Sequence, residues 1–348
     1  MAKHHVVVTG GAGYIGSHTV HLLLEQGYEV TVVDNLSKGY RHNVPGGRLC
    51  TLDLADTGAL ERLLADRRPA AVIHFAAFIA VGESMREPAK YFANNTGGSL
   101  SLLTAMVAAG VRHLVFSSTA AVYGTPDAVP ILETFPIQPV SPYGESKVMV
   151  ETLLGWFDRI HGLRSVALRY FNACGADPGG EIGEEHEPET HLIPLVLRAA
   201  ATGQPVTVFG EDYDTPDGTC IRDYIHVNDL ARAHILAVEY LLGGGASQAL
   251  NVGTGTGHSV REIIAAAEAV TGLPVPRAAG PRRPGDPARL VADAGRLRAT
   301  LGWEPQYADI RTIIAHAWNF AQRSGHGKDQ PGGEAPPVLR PLESQDRR

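Results

Sequence analysis

Tyr143 and Lys147 lie four residues apart in Ser141-Pro142-Tyr143-Gly144-Glu145-Ser146-Lys147, a spacing that places both side chains on one face of a helix. A phenol has an ordinary pKa of about 10, so it acts as a base near neutral pH only beside positive charge. The Lys147 ammonium, one turn away, is one such charge. A depression of about three pKa units would favour the phenolate by about 4 kcal/mol. Tyr-x-x-x-Lys also arises by chance as a surface pair, and the hydroxyls of Ser117-Ser118-Thr119 also suit a turn cap, so neither feature decides alone. Together they describe a proton-transfer centre, with Tyr143 as base, Lys147 as its charge partner and Thr119 as a hydroxyl that relays or shares the proton.

A second run with chemical consequences opens the chain. Gly10-Gly11-Ala12-Gly13-Tyr14-Ile15-Gly16 follows a β-branched stretch and fits both G-x-x-G-x-x-G and G-x-G-x-x-G. Such a strand-to-helix turn needs glycine so that a pyrophosphate approaches the backbone, and the helix N-terminus then offers free N–H groups to it. Glycine-rich turns also occur for packing alone, so context matters. Asp34 ends the next β-branched stretch, where an acid hydrogen-bonds an adenosine ribose and repels a 2′-phosphate, which favours NAD over NADP. The positively charged ring of the oxidised nicotinamide cofactor would be another such charge for the Tyr143 phenol.

The elements that must position these groups follow from periodicity. Short β-branched runs at 5–9, 29–34, 48–52, 71–75, 113–117 and 165–169 alternate with helical periods such as 14–26, which stops at Gly27. This pattern predicts an α/β fold: a Rossmann-type doubly wound parallel sheet with a smaller C-terminal α/β substrate domain. After Asn172 glycine and proline become dense, so the expected units are 1–172 for the dinucleotide and 173–323 for the substrate. Residues 222–227 read as a strand and 230–242 as a helix started by Asn228-Asp229, with 220–242 expected to pack back on the first unit. A disordered tail is expected over 324–348.

Composition excludes other classes. With 44% apolar and 19% charged residues and a net charge of -7, the chain has the balance of a globular protein and no excess basic charge for nucleic acid or anionic membrane. Cys50, Cys174 and Cys220 are far apart and lack C-x-x-C spacing, so neither disulfides nor a metal site are expected, and the compartment is read as cytoplasmic. The opening Val6-Val7-Val8 is too brief for a signal peptide or a membrane span.

Beyond these features, Thr9 to Gly16, Asp34-Asn35, His74 to Ala77, Val81 to Ser84, Asn94-Asn95, Ser117 to Gly124, Tyr143 to Lys147, Arg169 to Asn172, Asp217-Gly218-Thr219 and Arg222 to Val227 together resemble the UDP-glucose 4-epimerase family of extended short-chain dehydrogenase/reductases, over about residues 4–320. The resemblance implies bound NAD held by Gly10, Gly13, Tyr14, Ile15, Gly16, Asp34, Asn35, Asp53, Leu54, Phe75, Ala76, Ala77, Asn94, Ser117, Tyr143, Lys147 and Tyr170. It implies a UDP-sugar held by Asn172, His191, Leu192, Phe209, Arg222, Arg283, Asp286 and Leu290 beside Thr119 and Tyr143. Arginines suit a diphosphate and Phe209 suits a uracil face. Taken alone, Arg282-Arg283 fits a solvated basic loop as well.

The chain departs from the family at Ile79, where lysine contacts the cofactor in other members, at His191, which replaces an asparagine beside the nucleotide, and at Thr119, where serine is usual. The implied reaction interconverts UDP-galactose and UDP-glucose through transient oxidation at C4. Leucine at 290, where family members that exclude N-acetylated sugars carry tyrosine, implies room for the N-acetylated pair, unless Leu290 points away into the core of a strand at 289–292. Epimerisation of UDP-glucuronate or UDP-xylose remains open, as does a non-catalytic NAD sensor. A 4,6-dehydratase would need an acid and a base where this chain has Ala120 and Ala121. The family also implies a homodimer through helices at 91–109 and 143–161.

Overall fold

The computed structural model describes residues 3–283 and 285–324. Seven parallel strands form the central sheet: β1 (His5–Thr9), β2 (Glu29–Asp34), β3 (Leu49–Thr51), β4 (Ala71–His74), β5 (His113–Thr119) and β6 (Arg164–Tyr170), with a seventh from much later in the chain. β1, β2, β4, β5 and β6 read almost wholly buried because helices cover both faces, which is why their sequences are near-continuous Val, Ile and Leu runs. The Tyr14–Glu25 and Val227–Leu242 helices cover one face, burying Val20, Leu23, Leu230 and Val238. The Thr57–Arg67, Gly98–Ala108 and Pro142–His161 helices cover the other, burying Leu64, Leu102, Val150 and Leu154.

Beyond Tyr170 the chain adds β7 (Asn172–Cys174), β8 (Val206–Phe209), β9 (Ile221–His226), β10 (Gln248–Val252), β11 (Gly257–Ser259), β12 (Arg277–Gly280) and β13 (Arg289–Leu290). β10 is the seventh strand of the central sheet, which runs β10-β6-β5-β4-β1-β2-β3. β7, β9, β11 and β13 form a second sheet, and β8 pairs with β12. Around them the Leu192–Thr202, Val260–Thr271 and Ile310–Arg323 helices enclose a separate core of Ile193, Val196, Ile263, Ile264, Ile313 and Ile314. Residues 227–252 thus belong by packing to the first sheet.

Local details differ from the periodicity in two places. The helix expected to start at Asn228-Asp229 starts at Val227, capped by the His226 ring, which accepts from the Asn228 amide at 3.0 Å. Asp229 is instead buried and accepts from the amides of Gln306 and Tyr307, both at 2.8 Å, so its charge anchors a distant strand of chain. The helix expected over 91–109 is interrupted by a π-helical turn at Phe92–Gly97, where the Asn95 side chain binds both backbone groups of Phe78 and the Ser146 hydroxyl. The expected tail lies outside the described residues, except for Ser324, which caps the last helix.

Candidate active site

The glycine turn sits between β1 and the Tyr14–Glu25 helix, at the reversal of strand order between β1 and β4 where open α/β sheets bind ligands. Glycine is forced there by close approach. A Cβ on Gly10 would lie 2.5 Å from the Ala76 amide nitrogen, and one on Gly16 would lie 2.2 Å from the Gly10 carbonyl. No side chain caps this helix, so its first N–H groups remain available to a phosphate. Asp34 ends β2 with one oxygen accepting from the Ala12 amide at 3.0 Å and the other from the Leu36 amide at 2.8 Å, which aims its carboxylate across the turn. Asn35 donates to Asp53 at 2.8 Å, linking the ends of β2 and β3. These residues fit an NAD adenosine and pyrophosphate: a cradle that side chains would fill, bare helix amides and a carboxylate at the ribose place.

The proton-transfer residues stand on β5 and the helix beside it. Ser141 caps the Pro142–His161 helix by accepting from the Gly144 amide at 3.1 Å, and Pro142 fills the first turn, so Tyr143 is delivered at a fixed position. The Thr119 hydroxyl accepts from the Ala121 amide at 3.1 Å, which caps the turn, and stands close enough to the Tyr143 phenol to favour its ionised form. Lys147 is buried, donates to the Ser117 carbonyl at 2.8 Å, and lies 5.9 Å from the Tyr143 ring centre.

The side chains alone do not lower the Tyr143 phenol. Burial raises it, and the Thr119 hydroxyl only partly opposes this. Burial also brings Lys147 down to about 7, with Glu151 opposing. Desolvation penalises both charged forms, so the lysine alone does not activate the tyrosine.

A single cavity of ≈1780 Å³ reaches from the glycine turn across Thr119 and Tyr143 into the second sheet. Its walls include every expected cofactor and substrate residue except Lys147, which lies beneath them. Arg222 is nearly buried on β9 and donates to Asp286, so its anionic partner here comes from the protein itself. The Arg283 guanidinium covers the Phe209 ring at 4.2 Å, while Arg282 pairs with Asp212 and stacks on Tyr213. Asn172 donates to the Asp223 carbonyl at 3.1 Å. Leu290 borders the cavity and also packs on the cluster containing Phe171 and Ala292. Ile79 lines the rim at 44% exposure.

Most of the specific block around Arg222 is architectural. Asp223 is buried and accepts from the amides of Thr254, Gly255 and Ala292, and Asp217 accepts from Thr219 and Ser259. Sequence reasoning missed Cys220 and Tyr224 in the cavity wall, although they stand two residues either side of Arg222 and so share its face of β9. It also missed Glu184 and His186, which stand on irregular chain with no period to reveal them.

Residues 6–253 match the NAD dependent epimerase/dehydratase family. The chain is 52% identical over 325 residues to a UDP-glucose 4-epimerase of Rhizobium leguminosarum bv. trifolii, covering 93% of this chain and 99% of that protein. It resembles the crystal structure of UDP-glucose 4-epimerase from Brucella ovis in complex with NAD, with a TM-score of 0.89, 49% identity and coverage of 91% and 98% of the two chains. The structure of the UDP-Glc/GlcNAc 4-epimerase from Campylobacter jejuni is similar at a TM-score of 0.80 and 38% identity, with coverage of 92% and 100%. With this likeness along nearly its whole length, and with the glycine cradle, Asp34, Tyr143 and Thr119 in one cavity and Lys147 beneath it, the chain belongs to the NAD dependent epimerase/dehydratase family.

Proposed function

We propose that this chain is a UDP-glucose 4-epimerase that interconverts UDP-galactose and UDP-glucose and also accepts the N-acetylated pair. The observation that carries this reading is the position of Tyr143 and Thr119 midway along one cavity, between a dinucleotide cradle and the Arg222, Phe209 and Arg283 group suited to an aromatic nucleotide with a diphosphate. Ala120 and Ala121 line the same cavity where a dehydratase would need an acid and a base, which supports epimerisation over elimination of water.

In this reading NAD is held by the glycine turn, Asp34, Asn35, Asp53, Leu54, Phe75 to Ala77, Asn94, Ser117 and Tyr170, and when bound it supplies a reversible two-electron acceptor and, oxidised, positive charge. Tyr143 takes the proton of the sugar 4-hydroxyl, with Thr119 sharing that hydrogen bond. Lys147 fixes the strand beneath by its bond to the Ser117 carbonyl. Asn172, His191, Leu192, Phe209, Arg222, Arg283 and Asp286 grip the nucleotide and diphosphate. Firm binding of that part leaves the sugar free to turn, so that Tyr143 returns its proton when C4 is reduced on the other face.

Incubating the purified protein with UDP-galactose, UDP-N-acetylgalactosamine and UDP-glucuronate and separating the products by chromatography tests the proposal. The expected products are UDP-glucose and UDP-N-acetylglucosamine, with no net consumption of dinucleotide and with NAD released on denaturation. A requirement for added, stoichiometrically reduced NAD would refute it.

The same reading includes a homodimer in the cytoplasm. Leu100, Met149, Trp156 and Ile160 are exposed on the Gly98–Ala108 and Pro142–His161 helices and supply an apolar face for the second copy. All three cysteines are free thiols, and among the described residues no helix is long and apolar enough to cross a membrane. Sedimentation velocity checks the dimer; a monomer at all concentrations would refute it.

A further inference from the structure

We propose that Glu184, His186, Glu189 and His191 form a binding site for one divalent transition-metal cation of the zinc class. One ligand atom from each residue lies within 4.8 Å of the other three. Two imidazoles and two carboxylates suit a borderline cation, and zinc is held tetrahedrally by such nitrogen and oxygen ligands at about 2.0–2.2 Å. That geometry sets the ligand atoms about 3.3–3.6 Å apart. The His186 Nδ1 lies 3.3 Å from Glu184 and 3.6 Å from one Glu189 oxygen, and the His191 Nδ1 lies 3.7 Å from the other Glu189 oxygen. Only the Glu184 to His191 contact is closer, a hydrogen bond that a cation would open.

The His186 Nδ1 is shared between two carboxylates: it is buried, lies within ion-pair reach of both and is well aligned with neither. It faces the space between the two acids. Glu189 is oriented by accepting the Thr190 and His191 amides on one oxygen, at 2.6 and 2.8 Å, which leaves the other oxygen toward His186. Glu184 keeps only 5% of its side chain exposed, so its charge needs a cation or protonated imidazoles beside it. All four residues lie on the chain between β7 and the Leu192–Thr202 helix, which has no helix or strand of its own from 183 to 191. A cation there would staple this segment, which carries Leu192 and His191 into the cavity wall.

This site does not depend on which nucleotide sugar the protein turns over. Its test uses the full chain, expressed without a histidine tag, and reads metal content by inductively coupled plasma mass spectrometry after purification and after chelator dialysis. The expected result is one zinc per chain that survives gel filtration, or that returns on titration with zinc and raises the thermal midpoint. Cobalt in its place should show the visible absorption of a four-coordinate ion. His186→Gln should weaken zinc by roughly tenfold or more while retaining NAD and native circular dichroism. If that variant fails to fold, His191→Asn replaces it, and the wild-type stoichiometry and cobalt spectrum still decide. No tightly held or titratable metal in the wild type, or unchanged affinity in a folded variant, overturns the proposal.

Discussion

The two ends of the cavity are built by different means. At the cofactor end, consecutive residues on adjacent strand ends present mostly backbone: Gly10 and Gly16 leave no room for a side chain, and Asp34 is held by backbone amides at 3.0 and 2.8 Å. At the end proposed for the nucleotide sugar, side chains arrive from β7, β8, β9, β13 and the loops between them, and they already have partners within the protein: Arg222 with Asp286, His191 with Glu184, and Arg283 over the Phe209 ring. The first end is backbone packed too closely for side chains; the second is made of charged side chains that an arriving anion would meet already partnered.

Buried histidines outside the cavity wall should give the largest response. His18 joins the Tyr14–Glu25 helix to Asn228, His234 lies against Phe75 and Tyr170, His226 bonds His316, and His74 bonds Thr9 and Ser99. Burial brings His18 and His234 down to about 4 and His74 and His226 down to about 3. Below the ordinary value of about 6.5 the unfolded chain takes up protons that the folded chain refuses, so stability falls as pH drops from about 6.5 towards 4 and is fully present above it. Each histidine contributes about 1.4 kcal/mol per pH unit, enough in combination to exhaust a typical stability of about 5–15 kcal/mol within a few units. Acid titration followed by circular dichroism should show cooperative unfolding with proton uptake in that window; stability unchanged from pH 6 to pH 4 would contradict it.

Next comes Tyr143→Phe, which acts where the two ends meet. It should lower kcat by about 10²–10⁴ while leaving UDP affinity nearly intact, because the phenol acts on the sugar hydroxyl. Steady-state kinetics with UDP calorimetry separates the two effects, and more than about a tenth of wild-type kcat would exclude the base role.

The comparison itself is sharpened by one substitution at each end. Gly16→Ala forces a methyl against the Gly10 carbonyl and should strip NAD from the purified protein, with an overpacking cost of about 1–3 kcal/mol, while UDP still binds. Arg222→Ala should do the reverse, weakening UDP by about tenfold to a hundredfold while NAD content stays at the wild-type level. If either variant lost both ligands equally in a folded protein, the two ends would have to be treated as one site.

Leu290→Tyr should have the smallest effect and the most selective. The added ring fills space at the cavity wall beside Phe171 and should cut turnover of the N-acetylated pair by about tenfold while sparing UDP-galactose. Equal losses on both substrates would assign Leu290 to packing alone.

The cofactor end was legible in the sequence because it is local: seven residues from Gly10 to Gly16 and one acid at the next strand end carry it, and hydrophobic runs mark those strands to within two residues. The other end was legible only through resemblance to a known family, since Asn172, Phe209, Arg222 and Asp286 share no spacing. Even there much of the motif is architecture: Asp217 and Asp223 are consumed by backbone amides and hydroxyls that hold β9 in place.

The amino-acid sequence by itself determined the parallel sheet, the glycine turn, the preference for NAD carried by Asp34, and the pairing of Tyr143 with Lys147, because each depends on neighbours within one or two elements. Tertiary structure alone decided that β10 joins the first sheet, that Lys147 is buried with Tyr143 and so does not activate it unaided, and that Arg222 is already paired with Asp286. It also decided the convergence of Glu184, His186, Glu189 and His191. Burial and partnership depend on chain segments tens of residues away, and no local period encodes them.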